Sequence, residues 1–319
     1  MADALTIPSI DLADFTSGDQ KLKQAFVDKI GVAYEDVGFV AVKNHFLNPQ
    51  LAKKLYSQVQ HFFSLPAQVK NKYEIEGMAG QRGYTGMGKE HAKGRNVGDL
   101  KEFWHFGQEV TDGDPIRKEY PDNISVGELP EFNTAGREAY TALEDTGREL
   151  LRAIALHLDL EENYFDDKIH NGNSILRPIH YSPITQDPGD AVRAAEHEDI
   201  NLITLLMGAS AEGLEILNKK NKWVAVTALP DQLVVNVGDM LQRLTNNRLK
   251  STTHRVVNPP KEKWHLSRYS IPFFLHPRSD MPLNCLASCI DAEHPKQYAD
   301  ISAGEYLTQR LIEIGLLKK

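Results

Sequence analysis

Three residues far apart in the chain carry side chains suited to holding a redox metal. His197 and Asp199 stand two apart in Glu196-His197-Glu198-Asp199-Ile200-Asn201-Leu202, and His254 lies downstream in Ser251-Thr252-Thr253-His254-Arg255-Val256-Val257. Two imidazoles and one carboxylate are the donor set that binds a non-haem Fe(II) on one triangular face and leaves the opposite positions open for oxygen and a co-substrate. On a strand, side chains two apart point to the same side, so His197 and Asp199 can reach one ion from neighbouring rungs; on a helix, i and i+2 diverge. His254 falls on a different predicted strand, which a β-sandwich can bring opposite the first. A plain alternative exists: in a chain with 12 histidines, a His-x-Asp triplet also arises as a surface or capping feature, and spacing alone leaves both readings open.

A second pair two apart is Arg268 and Ser270, in Ser267-Arg268-Tyr269-Ser270-Ile271-Pro272-Phe273-Phe274. On a strand they share a side, and a guanidinium fork beside a hydroxyl clamps a carboxylate through charge-assisted, bidentate hydrogen bonds, as an acidic co-substrate requires. An arginine crossing a sheet edge with its charge in solvent gives the same text. Arg177, Tyr181, Trp104, Phe106 and Phe274 are candidates for a pocket wall, each with core packing as its alternative.

These side chains need elements to hold them. Ile7-Pro8-Ser9-Ile10-Asp11-Leu12 reads as a short strand, and Lys21 to Asp36 as a helix with apolar Leu22, Phe26, Ile30, Val32 and Ala33. Gly38-Phe39-Val40-Ala41-Val42 reads as a buried strand, and Pro49 to Phe63 as a second amphipathic helix carrying Leu51, Leu55, Val59 and Phe62. Residues 77 to 130, with Gly83-Tyr84-Thr85-Gly86-Met87-Gly88 and Ala92-Lys93-Gly94-Arg95, show no sustained period and read as a long ordered loop whose Phe103, Trp104 and Phe106 could cover a pocket. A long helix is predicted from Glu131 to Leu158 and a last one from Ala303 to Leu316. Between them lie short β-like runs at 174–181, 200–207, 213–217, 223–229, 232–237, 251–257 and 267–275, with Asn236-Val237-Gly238-Asp239 and Asn246-Asn247 as punctuation. Many short strands without intervening helices predict a mixed α and β fold with a jelly roll, or β-sandwich, core flanked by helices.

The expected organisation is an N-terminal α/β region over 1–130, packed on the core and not independent, followed by 131–319 with the long helix, the catalytic core at about 174–277 and the C-terminal helix. At 319 residues, 41% hydrophobic and 25% charged, the chain is an ordinary folded protein able to bury a sizeable core. A net charge of -8 with no basic cluster argues against nucleic acid or anionic lipid as partners. Only Cys285 and Cys289 occur, the first residues lack a secretory pattern, and no apolar run approaches the roughly 20 residues needed to span a bilayer. A cytoplasmic, disulfide-free monomer acting on a small molecule is the expectation.

Over nearly its whole length the text resembles the isopenicillin N synthase-like group of Fe(II)- and 2-oxoglutarate-dependent oxygenases. The resemblance rests on Ile7 to Leu12, on Gly38-Phe39-Val40-Ala41-Val42-Lys43-Asn44-His45, on Phe62-Phe63-Ser64-Leu65-Pro66, and on Asp99-Leu100-Lys101-Glu102. It is most specific in the ordered series His197-Glu198-Asp199, Leu202-Ile203-Thr204-Leu205-Leu206, Asn236-Val237-Gly238-Asp239, Ser251 to Val256 and Arg268-Tyr269-Ser270. It implies a double-stranded β-helix (jelly roll) core, His197, Asp199 and His254 as iron ligands, and Arg268 with Ser270 on the distal carboxylate of 2-oxoglutarate, with O2 as the other co-substrate. Tyr181 falls where the group places a tyrosine near a carboxylate, although Ser182 stands where a proline usually follows. Arg268 lies fourteen positions after His254, a longer gap than many members show, and Asn258-Pro259-Pro260-Lys261-Glu262-Lys263 looks like a loop insertion that absorbs it.

The implied activity is oxidation of a small organic substrate, by hydroxylation, desaturation or ring closure, with release of succinate and CO2. Other readings of the same residues are an oxidase similar to isopenicillin N synthase that does without 2-oxoglutarate and holds a substrate carboxylate with Arg268 and Ser270, a metal-free jelly-roll binding protein, and a zinc hydrolase. The last offers no role for Arg268 and Ser270.

Overall fold

The computed structural model describes residues 7–78, 80–90, 98–208, 212–226, 231–314 and 316–317. The segment Ala92–Arg95, residues 227–229 of one predicted strand and residue 315 of the last predicted helix lie outside the described residues.

The chain opens with β1 (Ser9–Asp11), α1 (Leu12–Thr16), α2 (Gln20–Asp36), β2 (Phe39–Lys43), α3 (Pro49–Ser64) and the single turn α4 (Ala67–Lys70). Asp11, Asp19 and Asn48 start α1, α2 and α3 by accepting first-turn backbone N–H groups that would otherwise lack a partner. Next come β3 (Gly83–Thr85), β4 (Glu102–Gly107), the long α5 (Pro130–His157) and the short α6 (Asp166–Ile169). The strand-rich part follows: β5 (Ile175–Leu176), β6 (Ile179–Tyr181), β7 (Ala194–His197), β8 (Ile203–Met207), β9 (Leu214–Leu217), β10 (Trp223–Ala225) and β11 (Leu233–Val237). It ends with α7 (Asp239–Leu244), β12 (His254–Val256), β13 (Arg268–Leu275) and α8 (Ala303–Glu313).

Among the described residues the strands form two sheets. The larger runs β1-β2-β11-β8-β13-β5-β4-β3, with β6 bridging β13 and β4, and the smaller runs β10-β9-β12-β7. Together they make the jelly-roll core. On α5 the stripe Leu143, Leu150, Leu151 and Ile154 is buried, and the helix packs on α2, α3 and the strands β4, β5, β8 and β13. The N-terminal region is woven into the same sheet, because β2 pairs with β11 and β4 with β5 and β6.

Three features differ from the sequence-based expectations. The stretch 77–130 holds strands β3 and β4, and β4 is buried along all its residues. A strand covered on both faces shows no period-two alternation, and the charged Glu102 and His105 interrupt what would otherwise read as an apolar run. β7, the text Ala-Ala-Glu-His, is not among the predicted strands; its alanines carry little strand preference, and pairing with β12 decides its conformation. On α2, Val32 is 65% exposed, because it sits two residues from buried Ile30 and so on the opposite side of the helix; Leu22 near the helix start is exposed as well.

Candidate active site

His197 ends β7 and His254 begins β12, and the two are cross-strand partners in the antiparallel smaller sheet. They are therefore neighbours in one sheet, not residues facing across the sandwich, with ring centroids 4.4 Å apart. Nδ1–H of His197 donates to the carbonyl of Ala195 (2.7 Å) and Nδ1–H of His254 to that of Thr252 (3.1 Å). A carbonyl only accepts, so the neutral tautomer of each ring carries its proton on Nδ1 and leaves Nε2 for a metal. Asp199 lies just beyond the end of β7, so its place is set by contacts outside the strand. Its Oδ2 accepts from Oγ1 of Thr204 on β8 (2.6 Å) and Nδ2 of Asn236 on β11 (2.8 Å). Its Oδ1 is left 3.8 Å from Nε2 of His254 and 4.0 Å from Nε2 of His197.

Donor atoms bound to one ion at about 2.0–2.2 Å each can stand up to about 4.4 Å apart. Both carboxylate–imidazole spacings fall inside that limit, and the donor atoms of all three residues lie within 4.8 Å of one another. Burial, aided by neighbouring His254, pushes His197 down to about 4, which keeps the ring neutral and able to ligate. Burial alone would raise the Asp199 carboxyl, but His254 and His197, with the Asn236 and Thr204 bonds, hold it below its ordinary value. Two imidazoles with tethered backs and one carboxylate with a tethered oxygen fit a divalent first-row metal with open positions.

The motifs flanking the triad are its supports. Gly238 packs so closely on the Asn201 backbone that a Cβ would meet the Asn201 carbonyl oxygen at 2.2 Å, and the next amide, Asp239 N–H, donates to the carbonyl of Asp199 (2.7 Å). Asn246 and Asn247, with φ of 49° and 69°, follow α7 and turn the chain toward β12, a left-handed conformation asparagine tolerates better than most residues. The three hydroxyls before His254 each reach a different element: Ser251 bonds Asp239, Thr252 the carbonyl of Val37, and Thr253 Glu198.

The larger sheet supplies the facing wall. Arg268 and Ser270 are both buried on β13, and Arg268 is the cross-strand partner of Tyr181 on β6, with its guanidinium 5.0 Å from the tyrosine ring. His197, Asp199, His254, Arg268, Ser270 and Tyr181 all line one cavity of about 440 Å³. Arg177 and Phe274 line it too, whereas Trp104 and Phe106 do not: they are buried in the main core against Phe132.

The cavity contains groups that sequence reasoning did not assign. Lys101 donates to Glu90 (2.6 Å) and Asp99 (2.9 Å), Arg177 donates to Glu90 and to Nε2 of His105, and the guanidinium of Arg177 stacks 4.5 Å from Phe103 and 5.0 Å from Phe274. Burial would raise Glu90, yet Arg177 and Lys101 hold it far below the usual carboxylate range; burial and then Arg177 push His105 well below its ordinary value. Asp99 also accepts from the amide of Ala195 (3.2 Å), tying this cluster to the strand that ends in His197. Arg177 was a candidate for the pocket wall; for Asp99 and Lys101 the signal was Asp99-Leu100-Lys101-Glu102, a motif with no role attached, and Glu90 and His105 gave none. Leu307, Arg310 and Leu311 of α8 close another side of the cavity.

A β-sandwich with a two-histidine, one-carboxylate face and an arginine–serine pair in the same cavity defines a non-haem metal oxygenase as the class. Residues 7–126 match the family described as non-haem dioxygenase in morphine synthesis N-terminal, and residues 172–277 the 2OG-Fe(II) oxygenase superfamily. A proline hydroxylase of Petromyces alliaceus is 30% identical over 97% of this chain and 99% of its own length. A 2OG-Fe(II) oxygenase family protein of Caulobacter crescentus has a crystal structure with a TM-score of 0.86, 40% identity, and coverage of 97% of this chain and 99% of that one. A Neurospora crassa protein crystallised with alpha-KG and thymine gives a TM-score of 0.83 at 31% identity over 98% of each chain. The chain belongs to the 2OG-Fe(II) oxygenase superfamily. It is accordingly a non-haem iron oxidoreductase, a dioxygenase that uses Fe(II) with 2-oxoglutarate and O2 as co-substrates. Among the described residues no helix is long and apolar enough to cross a membrane.

Proposed function

We propose that the protein hydroxylates a small organic substrate, with His197, Asp199 and His254 as the iron ligands and Arg268 with Ser270 holding the distal carboxylate of 2-oxoglutarate beside Tyr181. The observation that carries this reading is the meeting of a three-donor face and a buried guanidinium–hydroxyl pair in one cavity. When bound, Fe(II) with 2-oxoglutarate supplies O2 activation, with succinate and CO2 released as the substrate is oxidised. The chain's own part is positional: Ala195 and Thr252 fix the imidazole tautomers, Thr204 and Asn236 orient Asp199, and Arg268 in a dry wall favours a carboxylate at one end of the cavity. The region 1–130 acts on this reading as part of the same unit, since its strands complete the larger sheet. Cys285 and Cys289 form no disulfide and suit a reducing, cytoplasmic setting, and the enzyme works as a monomer. Thymine and proline, taken from the relatives' names, are the first substrates to assay.

The test is succinate formation with Fe(II). His197→Ala or Asp199→Ala abolishes the substrate-stimulated rate, and Arg268→Ala raises the 2-oxoglutarate requirement by removing a buried charge partner. Retained turnover in the ligand variants refutes the ligand assignment. Oxygen uptake that persists without 2-oxoglutarate would instead support the oxidase reading.

A further inference from the structure

One wall of the cavity contains four charged side chains that neutralise one another. Glu90, Lys101 and Asp99 have side chains 9%, 8% and 6% exposed, and Arg177 is 15% exposed. Lys101 bridges the two carboxylates, and Arg177 takes Glu90 as well, so two cations face two anions. Nε–H of Arg177 donates to Nε2 of His105, which requires that nitrogen to be unprotonated, so His105 adds no charge. Phe103 and Phe274 flank the guanidinium, and Ile175, Leu206 and Pro272 supply apolar wall around it. Outside this group, the metal triad and Arg268, Glu196 is exposed to solvent, Glu198 accepts from Thr253, and Arg310 is paired with Asp239 and Glu313.

A charged substrate entering this space would leave water without finding an uncommitted counter-charge, and an ion buried that way is heavily disfavoured. A neutral molecule loses far less and can still accept from Nη2 of Arg177, whose Nε and Nη1 are the nitrogens engaged by His105 and Glu90. We infer that the prime substrate is an uncharged, hydrogen-bonding small molecule, and that the Glu90–Arg177–Lys101–Asp99 chain is what rejects acids, amines and zwitterions. This inference rests on the proposed assignment of Arg268 to 2-oxoglutarate, which leaves that cation unavailable to the substrate. Of the two first candidates, it selects the pyrimidine over the amino acid.

The test uses the full chain with Fe(II) and 2-oxoglutarate. A small-molecule extract is separated at neutral pH on anion and cation exchangers. Zwitterions, which pass both, are then captured from the flow-through on an acid-form cation exchanger and counted with the retained pool. Unretained and retained pools are assayed for stimulated succinate formation, with thymine and proline as defined probes. Stimulation confined to the unretained pool is the expected result. Stimulation by a retained pool, or none from the unretained pool, overturns the inference. Glu90→Gln leaves the wall one positive charge in excess, so this variant should begin to accept the anionic pool; continued rejection of acids would assign the selectivity elsewhere. Should Glu90→Gln fail to fold, the pool assay on the unaltered protein still decides. The visible charge-transfer band of Fe(II) with 2-oxoglutarate separates the two levels: no band and no turnover reject the proposed function, whereas a band with an inert unretained pool rejects only the substrate class.

Discussion

Replacing Thr204 by Val should weaken metal binding without touching a ligand. Thr204 is buried on β8, and its Oγ1 donates to Oδ2 of Asp199 at 2.6 Å, inside the short range of charge-assisted O–H···O⁻ bonds. Valine keeps the branched shape and the strand preference but removes the donor, leaving Asn236 (2.8 Å) as the only other side-chain bond to that oxygen among those described. A hydrogen bond to a charged group contributes about 1.5–3 kcal/mol, and about 1.4 kcal/mol is a factor of ten, so the metal dissociation constant should rise about tenfold to a hundredfold. That range agrees with the usual effect of removing a group that orients a metal ligand. The secondary loss is small, since Asn201 Nδ2, which donates to Thr204 at 3.1 Å, keeps its 2.7 Å bond to the carbonyl of Ile203. Anaerobic titration with Fe(II) or Mn(II), alongside thermal unfolding of the metal-free protein, makes the measurement. An affinity unchanged within about twofold, in a variant that unfolds like the parent, would refute the idea that Thr204 presents Asp199 to the metal.

Other expected outcomes concern stability. Gly136→Ala on α5 would place a Cβ 2.3 Å from the Phe106 ring, and overpacking of this kind costs about 1–3 kcal/mol, read as a lower urea midpoint. Lys70→Met would strip Glu102 of the ammonium that meets both its oxygens at 2.7 and 2.9 Å, and breaking a buried pair from one side costs about 3–5 kcal/mol by the same assay; a loss below about 1 kcal/mol would mean that His180 and Tyr84 suffice. Burial pushes His276 down to about 4, while in the unfolded chain it titrates at the ordinary 6.5. Between those values the unfolded state binds the extra proton, so stability of the metal-free protein falls as pH drops from about 6.5 to 4, by at most about 3 kcal/mol from this residue. His197 adds a slope of the same sign, discounted because its side chain is 36% exposed. Denaturation of parent and His276→Asn across this window should show a shallower acid limb in the variant, and identical limbs would contradict the assignment.

Much of the site was legible because it depends on residue type and short spacing. His197, Asp199, His254, Arg268 and Ser270 are recognisable by what their side chains can bind, and α2, α3 and α5 by apolar residues recurring at the helical period. The strand argument for His197 and Asp199 was right about their convergence and wrong about its cause. Asp199 stands beyond the end of β7 and is aimed by Thr204 and Asn236 from the larger sheet. Trp104 offers the opposite case: as an aromatic in an aperiodic stretch it suggested a pocket wall, yet β4 carries it into the main core.

From the sequence alone came the proposed donor set, the proposed carboxylate clamp, the helices and the sandwich class, all properties of residue identity or of local period. Only the tertiary structure decided that β7 and β12 are neighbours, that Arg268 faces the same cavity as the triad, and that Glu90, Asp99, Lys101 and Arg177 form one neutral wall. The reason is that an ion pair such as Glu90 with Arg177 joins residues 87 positions apart. No local preference encodes such a pairing; long-range strand pairing and close packing bring those side chains together, and their charges acquire meaning only there.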